Sequence, residues 1–160
     1  MTKFQLTKLA LSLVITGSML TGCGGSGGGP VLSKVSGTIK LDGKPLANAV
    51  VTYEPIGGGR PASGYTDESG RYTLEFNEGQ PGAAVGRHLV RISTWREGYD
   101  NGTYHPAVPE QAPSRYNVKA EENPEMRREV AASSNTIDFE LNSSGGELIQ
   151  PQDPLTANRQ

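Results

Sequence analysis

Apolar and polar residues alternate along five segments of the chain, and a period of two is the pattern of a β-strand with one buried face. The clearest segment is residues 35–41, "VSGTIKL", in which every second residue is apolar or glycine. The inward positions of the five segments are Val35, Gly37, Ile39 and Leu41; Ala47, Ala49, Val51 and Tyr53; Tyr72, Leu74 and Phe76; His88, Val90 and Ile92; and Ile137, Phe139 and Leu141. Strands with one apolar and one polar face predict antiparallel sheets that pack against each other.

Turn signals separate the predicted strands. The pair Asp42-Gly43 indicates a tight hairpin, because both residue types tolerate positive φ. Asp67 and Gly70 are typical of the first and last positions of a second turn. Short strands joined by such turns predict an all-β fold, an antiparallel β-sandwich, in one domain over residues 31–142.

Two further segments lack the strand pattern. Residues 122–130, "ENPEMRREV", have a proline near their start and many charges, which predicts one or two helical turns on the surface. The tail over residues 143–160 is polar and contains two prolines. We expect this tail to be disordered, because it cannot bury enough apolar surface to offset the entropy of ordering.

The N-terminus has a different pattern. Lys3 and Lys8 flank the start of a mostly apolar run over residues 9–19. This run is far shorter than the ~20 residues that a membrane-spanning helix needs. A basic start, a short apolar run and small residues before a cut site are typical of a secretory signal peptide.

The next four residues, Leu20, Thr21, Gly22 and Cys23, resemble the bacterial lipobox, in which small residues separate an apolar residue from a cysteine. The resemblance implies cleavage before Cys23 and a covalent diacylglycerol on its sulfur. An ordinary signal peptide with an unmodified cysteine is the alternative.

Several expectations follow from the lipobox. Residues 1–22 are then a lipoprotein signal peptide, and residues 23–30 are an acylated cysteine with a flexible glycine-rich tether. The implied location is extracytoplasmic, anchored by lipid to a bacterial membrane. Gly24, and not aspartate, follows the cysteine, which favours the outer over the inner membrane.

The charge limits the kinds of partner that are expected, and the cysteine content limits how the domain is stabilised. The chain has 15 Lys and Arg against 17 Asp and Glu, a formal net charge of −2, and loss of Lys3 and Lys8 with the signal peptide makes it more acidic. This balance argues against a nucleic-acid partner. Cys23 is the only cysteine in the chain, so the domain is expected to be held by its core. Apart from the covalent lipid on Cys23, no cofactor is expected.

Three segments carry a resemblance to a known family. Residues 35–55, 64–74 and 82–92 are similar to the carboxypeptidase regulatory-like domain. This resemblance implies a transthyretin-like, or prealbumin-like, β-sandwich of about seven strands. Residues 113–117 and 135–141 are similar to the closing segments of small bacterial lipoproteins built on that domain. The shared residues are mainly turn and core residues, which bear on fold more than on function.

The residue types give little support for catalysis or metal binding. His88 and His105 are the only histidines, and a zinc site usually needs three or four nitrogen or sulfur ligands. H-E-x-x-H does not occur, and the G-x-S-x-G match at residues 24–28 lies within the glycine-rich run after the lipobox. Transthyretin-like hydroxyisourate hydrolases end in tyrosine-arginine-glycine-serine, whereas this chain ends in residues 156–160, "TANRQ". We therefore expect neither an enzyme nor a metal site, with a hydrolase-like relative as a remote alternative.

An acidic turn offers another alternative. Asp67, Glu68 and Ser69 could contribute oxygen ligands to calcium, but they lack EF-hand spacing, and calcium takes six to eight oxygens. A structural turn is the favoured interpretation.

Aromatic residues concentrate in one long segment, residues 95–116, which we call the aromatic loop. Its members Trp95, Tyr99, Tyr104, His105 and Tyr116 form the candidate binding site, because aromatic side chains stack on sugars and anchor protein partners. The alternative is that they pack the loop onto the domain. The sequence thus predicts a non-catalytic binding or structural module of the cell envelope, whose partner is an envelope protein or, alternatively, a glycan such as peptidoglycan.

Overall fold

The structure is a computed structural model that describes residues 29–154. Cys23 and the lipobox residues Leu20, Thr21 and Gly22 lie outside the described residues, as do residues 155–160. Within the described range the chain is all-β, as predicted. Its strands are β1 Leu32–Ser33, β2 Val35–Leu41, β3 Lys44–Pro45, β4 Val50–Pro55, β5 Ala62–Tyr65, β6 Arg71–Thr73, β7 Glu75–Asn77, β8 Gln80–Pro81, β9 Ala83–Ala84, β10 Gly86–Ser93, β11 Tyr99–Asp100, β12 Tyr104–His105, β13 Arg127–Val130, β14 Asn135–Thr136 and β15 Phe139–Leu141.

The larger sheet has six antiparallel strands in the order β13-β10-β4-β5-β7-β8. Its longest strand is β10, the neighbour of the edge strand β13. β10 pairs with β4 along six residues, from His88 opposite Pro55 to Ser93 opposite Val50. A strand of eight residues is about 25 Å long, so β10 spans the sheet from end to end. Two small two-stranded pairs lie near the ends of β10: β1 with β9 near its start, and β11 with β12 beyond its end.

The second sheet is built around β2. Its antiparallel partners are β3 and β6, whereas β14 and β15 pair with it in parallel, with Phe139 opposite Ile39. The purely antiparallel arrangement expected from the alternation is therefore wrong for the last strands. Parallel neighbours need a long crossover connection, and here most of the domain separates β2 from β15.

One core joins the two sheets, and the predicted inward positions form most of it. Val35 and Ile39 from β2 are fully buried together with Val51, Val90 and Ile92 from the larger sheet. The hairpin at Asp42-Gly43 is also confirmed, with φ of +51° and +75°. Local alternation and turn chemistry therefore determine these strands.

Two predicted elements differ from the structure. The run Tyr72–Phe76 is not one strand, because the chain passes from the β2 sheet to the larger sheet at the buried Leu74. Residues 122–130 contain a 3-10 helix, Pro124–Met126, and then β13, which pairs with β10. One helical turn is thus confirmed, but the prediction of a surface segment is wrong for Met126 and Val130, which are buried because their apolar side chains complete the core beside β10.

Candidate functional site

The aromatic loop leaves the far end of β10 and carries a small hairpin. Tyr99 in β11 pairs with His105 in β12, and their rings stack with centroids 4.3 Å apart and planes at 13°. Tyr99 is 55% exposed, and Tyr104 is also exposed. The hairpin therefore presents aromatic surface to solvent.

A buried carboxylate fixes the base of the aromatic loop. Glu110 Oε1 accepts hydrogen bonds from the N–H groups of Thr94 and Ala112, both at 2.9 Å, and the Ser93 hydroxyl donates to Oε2 at 2.5 Å. Glu110 is 4% exposed, and a buried carboxylate is stable only with such donors. No local pattern indicates this role of Glu110, because two of its donors, Ser93 and Thr94, lie 17 and 16 residues earlier, at the end of β10 and just beyond it.

Trp95 is half-buried beside a groove of about 310 Å³ on the outer face of the larger sheet. The side chains of β4 and β10 that point away from the core form its floor, because alternation along a strand places them there. The lining residues are the apolar Val50, Trp95, Val118, Ile149 and Pro151 and the polar Thr52, Arg91, Ser93, Glu110 and Asn117. The groove combines an aromatic ring with fixed polar groups, which is the composition of many ligand sites.

Arg91 is held in this groove by three contacts. Its Nε donates to Glu54 Oε1 at 3.0 Å and its Nη1 to the Asn117 carbonyl oxygen at 2.5 Å. Its Nη2 donates to Glu121, and this hydrogen bond lowers the pKa of the Glu121 carboxyl below its usual value. Partly exposed ion pairs add little stability, so the main consequence is that the guanidinium is positioned.

The C-terminal tail forms one wall of the groove. Gln150 makes a double hydrogen bond with the backbone of Glu110, donating from Nε2 to the carbonyl oxygen and accepting the N–H at Oε1, both at 2.8 Å. The Ser114 N–H also donates to the Glu147 carbonyl oxygen at 2.8 Å. Residues 143–154 of the tail that was predicted to be disordered thus contact the domain in the structure, and Ile149 and Pro151 reach the groove.

The five aromatic residues predicted as a binding site fall into three places. Trp95 lines the groove, and Tyr99, Tyr104 and His105 belong to the hairpin. Tyr116 lies in the core at 4% exposure, where its hydroxyl accepts the Asn142 N–H at 3.1 Å. The structure therefore brings them together only in part, and their role in binding stays a prediction.

The other histidine occupies the opposite end of β10. His88 is buried with its ring centroid 5.7 Å from that of Tyr53, and its Nδ1 bonds to the Gly86 carbonyl oxygen at 3.0 Å. Its Nε2 has no hydrogen-bond partner among the described residues. Burial lowers the pKa of this imidazole below its usual value, so it is neutral at pH 7.

In the acidic turn, the Asp67 carboxylate accepts hydrogen bonds from the backbone of the turn itself. Asp67 Oδ1 accepts the N–H groups of Ser69 and Arg71 at 2.8 and 2.9 Å, and hydrogen bonds led by that from the Ser69 hydroxyl lower the pKa of the Asp67 carboxyl. Over residues 29–154, no group of three or more His, Cys, Asp or Glu side chains is placed to hold a metal ion. The same range contains no helix that is long and apolar enough to cross a membrane.

No family model matches the chain, and no curated protein matches it. Among solved structures, a DUF3823 family protein from Parabacteroides merdae is similar at 14% identity and a TM-score of 0.36, over 71% of this chain and 47% of the other. A 9R-lipoxygenase from Cyanothece is similar at 16% identity and a TM-score of 0.37, over 78% of this chain and 18% of the other.

The chain thus spans less than half the length of either protein. Because both TM-scores are below 0.5, neither likeness supports a conclusion about fold or function.

Proposed function

We propose that the protein is a non-catalytic lipoprotein of the bacterial cell envelope whose β-sandwich binds a segment of glycan in the Trp95 groove. The anchor is the diacylglycerol on Cys23, and the protein is extracytoplasmic, more specifically on the outer membrane. The aromatic loop and the tail supply two sides of the binding site. The bound glycan is a polysaccharide strand of the envelope, for which peptidoglycan is the first candidate.

The finer fold assignment belongs to this proposal. The two sheets around β2 and β10 share one core, which supports a prealbumin-like sandwich of the carboxypeptidase regulatory-like type. The two-residue strands β1, β3, β8, β9, β11 and β12 are additions to the main strands of this sandwich. Such sandwiches present variable loops at their ends, and function depends on those loops more than on the fold.

The groove is the observation that carries the proposal. An indole ring lies beside Arg91 and Ser93, and Arg91 is already positioned by Glu54 and Asn117. An aromatic face covers the apolar side of a sugar ring, and fixed polar groups bond its hydroxyls. Val118, which lines the groove, is exposed to solvent. An open rim suits a polysaccharide strand that extends beyond the groove.

A second candidate is supported by the hairpin. Its stacked Tyr99 and His105 and the exposed Tyr104 form an aromatic surface that suits the anchor residues of a protein–protein interface. In this alternative the domain holds an envelope protein through β11 and β12. The Trp95 groove then has a structural role.

The tryptophan itself supplies the test of the glycan site. Trp95 is the only tryptophan in the chain, so its fluorescence reports the groove alone. The mature lipoprotein in detergent micelles is titrated with soluble peptidoglycan fragments and with oligosaccharides of other composition. We expect a saturable shift in emission with one class of sugar.

A groove variant and a hairpin variant separate the two candidates. Val118→Asp should abolish the fluorescence response to sugar, whereas Tyr99→Ala should leave it unchanged. Unchanged Trp95 emission with every sugar, together with capture of one envelope protein that Tyr99→Ala abolishes, would replace the glycan proposal with the protein-partner candidate.

The lipid anchor is tested separately. In cells that express the full chain, Cys23→Ala should remove incorporation of labelled fatty acid and release the protein from the membrane fraction. Thermal unfolding of the released protein should match that of the wild type, because the core residues of the described part of the chain all lie between Val35 and Leu141. Normal membrane retention of Cys23→Ala would contradict the lipoprotein assignment.

A further inference from the structure

A cluster of exposed aliphatic residues lies at one end of the domain, close to residue 29, where the described part of the chain begins. Val31 is 71% exposed, Ile56 46% and Val85 40%. In the described range, the other exposed large aliphatic residues are Val118 and Leu148. Three of these five side chains therefore lie at the end of β10 where the chain enters.

Backbone hydrogen bonds hold this cluster together. The Val85 N–H donates to the Val31 carbonyl oxygen at 2.9 Å, and the Ile56 N–H donates to the Arg87 carbonyl oxygen at 2.8 Å. Pro30, Ile56, Val85 and Arg87 also line one cavity of about 270 Å³. We call Val31, Ile56 and Val85, with Arg60 and Arg87, the tether-end patch.

Basic groups flank the aliphatic side chains. Arg60 and Arg87 are both exposed and line the same cavity as Ile56. Arg60 is oriented by its Nε, which donates to the Phe76 carbonyl oxygen at 3.1 Å. Glu129 stands opposite Arg87 in β13 and offsets part of its charge, whereas the cavity lining itself contains no acidic residue.

The position of the patch relative to the anchor limits what can cover it. Only residues 24–30 separate Cys23 from the patch. Seven residues reach at most about 25 Å when fully extended, and the end-to-end distance expected for a glycine-rich composition of this length is roughly 15 Å. Once Cys23 is acylated, the patch is therefore always close to the lipid headgroups, and its effective concentration at the bilayer is high.

We propose that the tether-end patch is a second membrane contact, in which the three aliphatic side chains enter the headgroup region of an anionic bilayer and Arg60 and Arg87 bind lipid phosphates. This proposal rests on the lipid anchor at Cys23. Apolar burial and attraction to anionic lipid act together in such surfaces. Because the aliphatic area is small, the contact is stable only beside the acyl anchor.

The contact gives the domain a fixed orientation. β10 begins at the patch with Gly86 and ends beside Trp95, about 25 Å away. With the patch on the bilayer, the Trp95 groove and the aromatic hairpin face away from the membrane. The glycine-rich tether then connects the lipid to a domain that rests on the surface.

The single cysteine makes a direct test practical. An acylated Cys23 has no free thiol, so a new cysteine is the only labelling site in the mature lipoprotein. Ile56→Cys places a fluorophore in the patch, and Leu148→Cys is the matched control, since Leu148 is 50% exposed and directly precedes Ile149, which lines the groove. Both lipoproteins are reconstituted into vesicles of phosphatidylethanolamine and phosphatidylglycerol with a nitroxide-labelled lipid.

We expect strong quenching of the Ile56→Cys fluorophore by the nitroxide and weak quenching of the Leu148→Cys fluorophore. Adding Arg60→Glu and Arg87→Glu should reduce the quenching at residue 56, and vesicles of neutral phosphatidylcholine should reduce it likewise. Equal, weak quenching at both positions in vesicle-bound protein would overturn the membrane contact. Concentration-dependent protection of residue 56 without quenching would assign the patch to a second copy of the chain.

Failure of the patch proposal can be distinguished from failure of the anchor proposal. If the anchor proposal fails, the wild-type chain itself reacts with the thiol reagent at Cys23 and does not sediment with vesicles. If only the patch proposal fails, the wild type does not react with the thiol reagent and sediments with the vesicles. The fluorophore at residue 56 is then in water and is not quenched by the nitroxide.

Discussion

The two ends of β10 are stabilised in different ways. At the far end, Glu110 collects hydrogen bonds from Ser93, Thr94 and Ala112 and thereby fixes the aromatic loop. At the end next to the tether, apolar packing surrounds His88, whose Nε2 has no hydrogen-bond partner among the described residues. The difference shows that a buried carboxylate, the polar clamp at Glu110, fixes the groove, whereas backbone hydrogen bonds hold the exposed surface that we propose faces the membrane.

The largest effect is expected from removing the polar clamp. Glu110→Ala leaves several buried donors unpaired, so we expect it to reduce the free energy of unfolding by about 3 kcal/mol or more. Urea denaturation followed by circular dichroism measures this loss. Glu97→Ala, at an exposed position of the same loop, is the control and should stay within about 0.5 kcal/mol of the wild type. Equal effects of the two substitutions would show that the loop does not depend on the clamp.

A smaller effect is expected in the groove. Trp95 is half-buried, so Trp95→Ala should cost about 2 kcal/mol, less than a fully buried tryptophan would. Tyr99→Ala removes an exposed ring and should change stability by less than about 0.5 kcal/mol. Thermal unfolding of both variants tests this order. A larger loss for Tyr99→Ala would mean that the hairpin, and not the groove, joins the aromatic loop to the domain.

The smallest effect concerns the imidazole next to the tether. Burial places the folded-state pKa of His88 below the usual imidazole value of about 6.5, so the unfolded chain binds the proton more readily. The stability from neutral His88 is complete above pH 6.5 and is lost as pH falls through the folded-state pKa. We expect His88→Leu to be less sensitive than the wild type between pH 7 and pH 5, as measured by urea denaturation at each pH. Identical pH dependence of the two proteins would contradict a buried neutral imidazole.

Local sequence patterns predict the strands but not all of their partners. Alternation identifies β2 and β10, and Asp42-Gly43 identifies the first hairpin, because these features depend on neighbouring residues. The transfer between sheets at Leu74 is not visible in its alternating run, since both sheets bury that face. The strand at Arg127–Val130 depends on an open edge of β10 that only the assembled sheet provides.

The candidate site shows the same limit. Trp95 could be singled out because aromatic residues are rare and concentrate in one loop. Glu110, Arg91 and Gln150 could not, since each acts through contacts with segments distant in sequence. Tyr116 has the same composition signal as Tyr99, and only the fold separates the buried ring from the exposed one.

The parallel pairing of β2 with β15 has a mechanical consequence. The chain enters β2 at Val35, directly after β1, and leaves β15 at Leu141, and the two strands run side by side in the same direction. Under the proposed anchor and ligand site, a load between the lipid on Cys23 and a ligand at the opposite end would pull these strands past each other along their length. The ladder hydrogen bonds then share the force in shear and do not open one after another, which favours slow unfolding under tension.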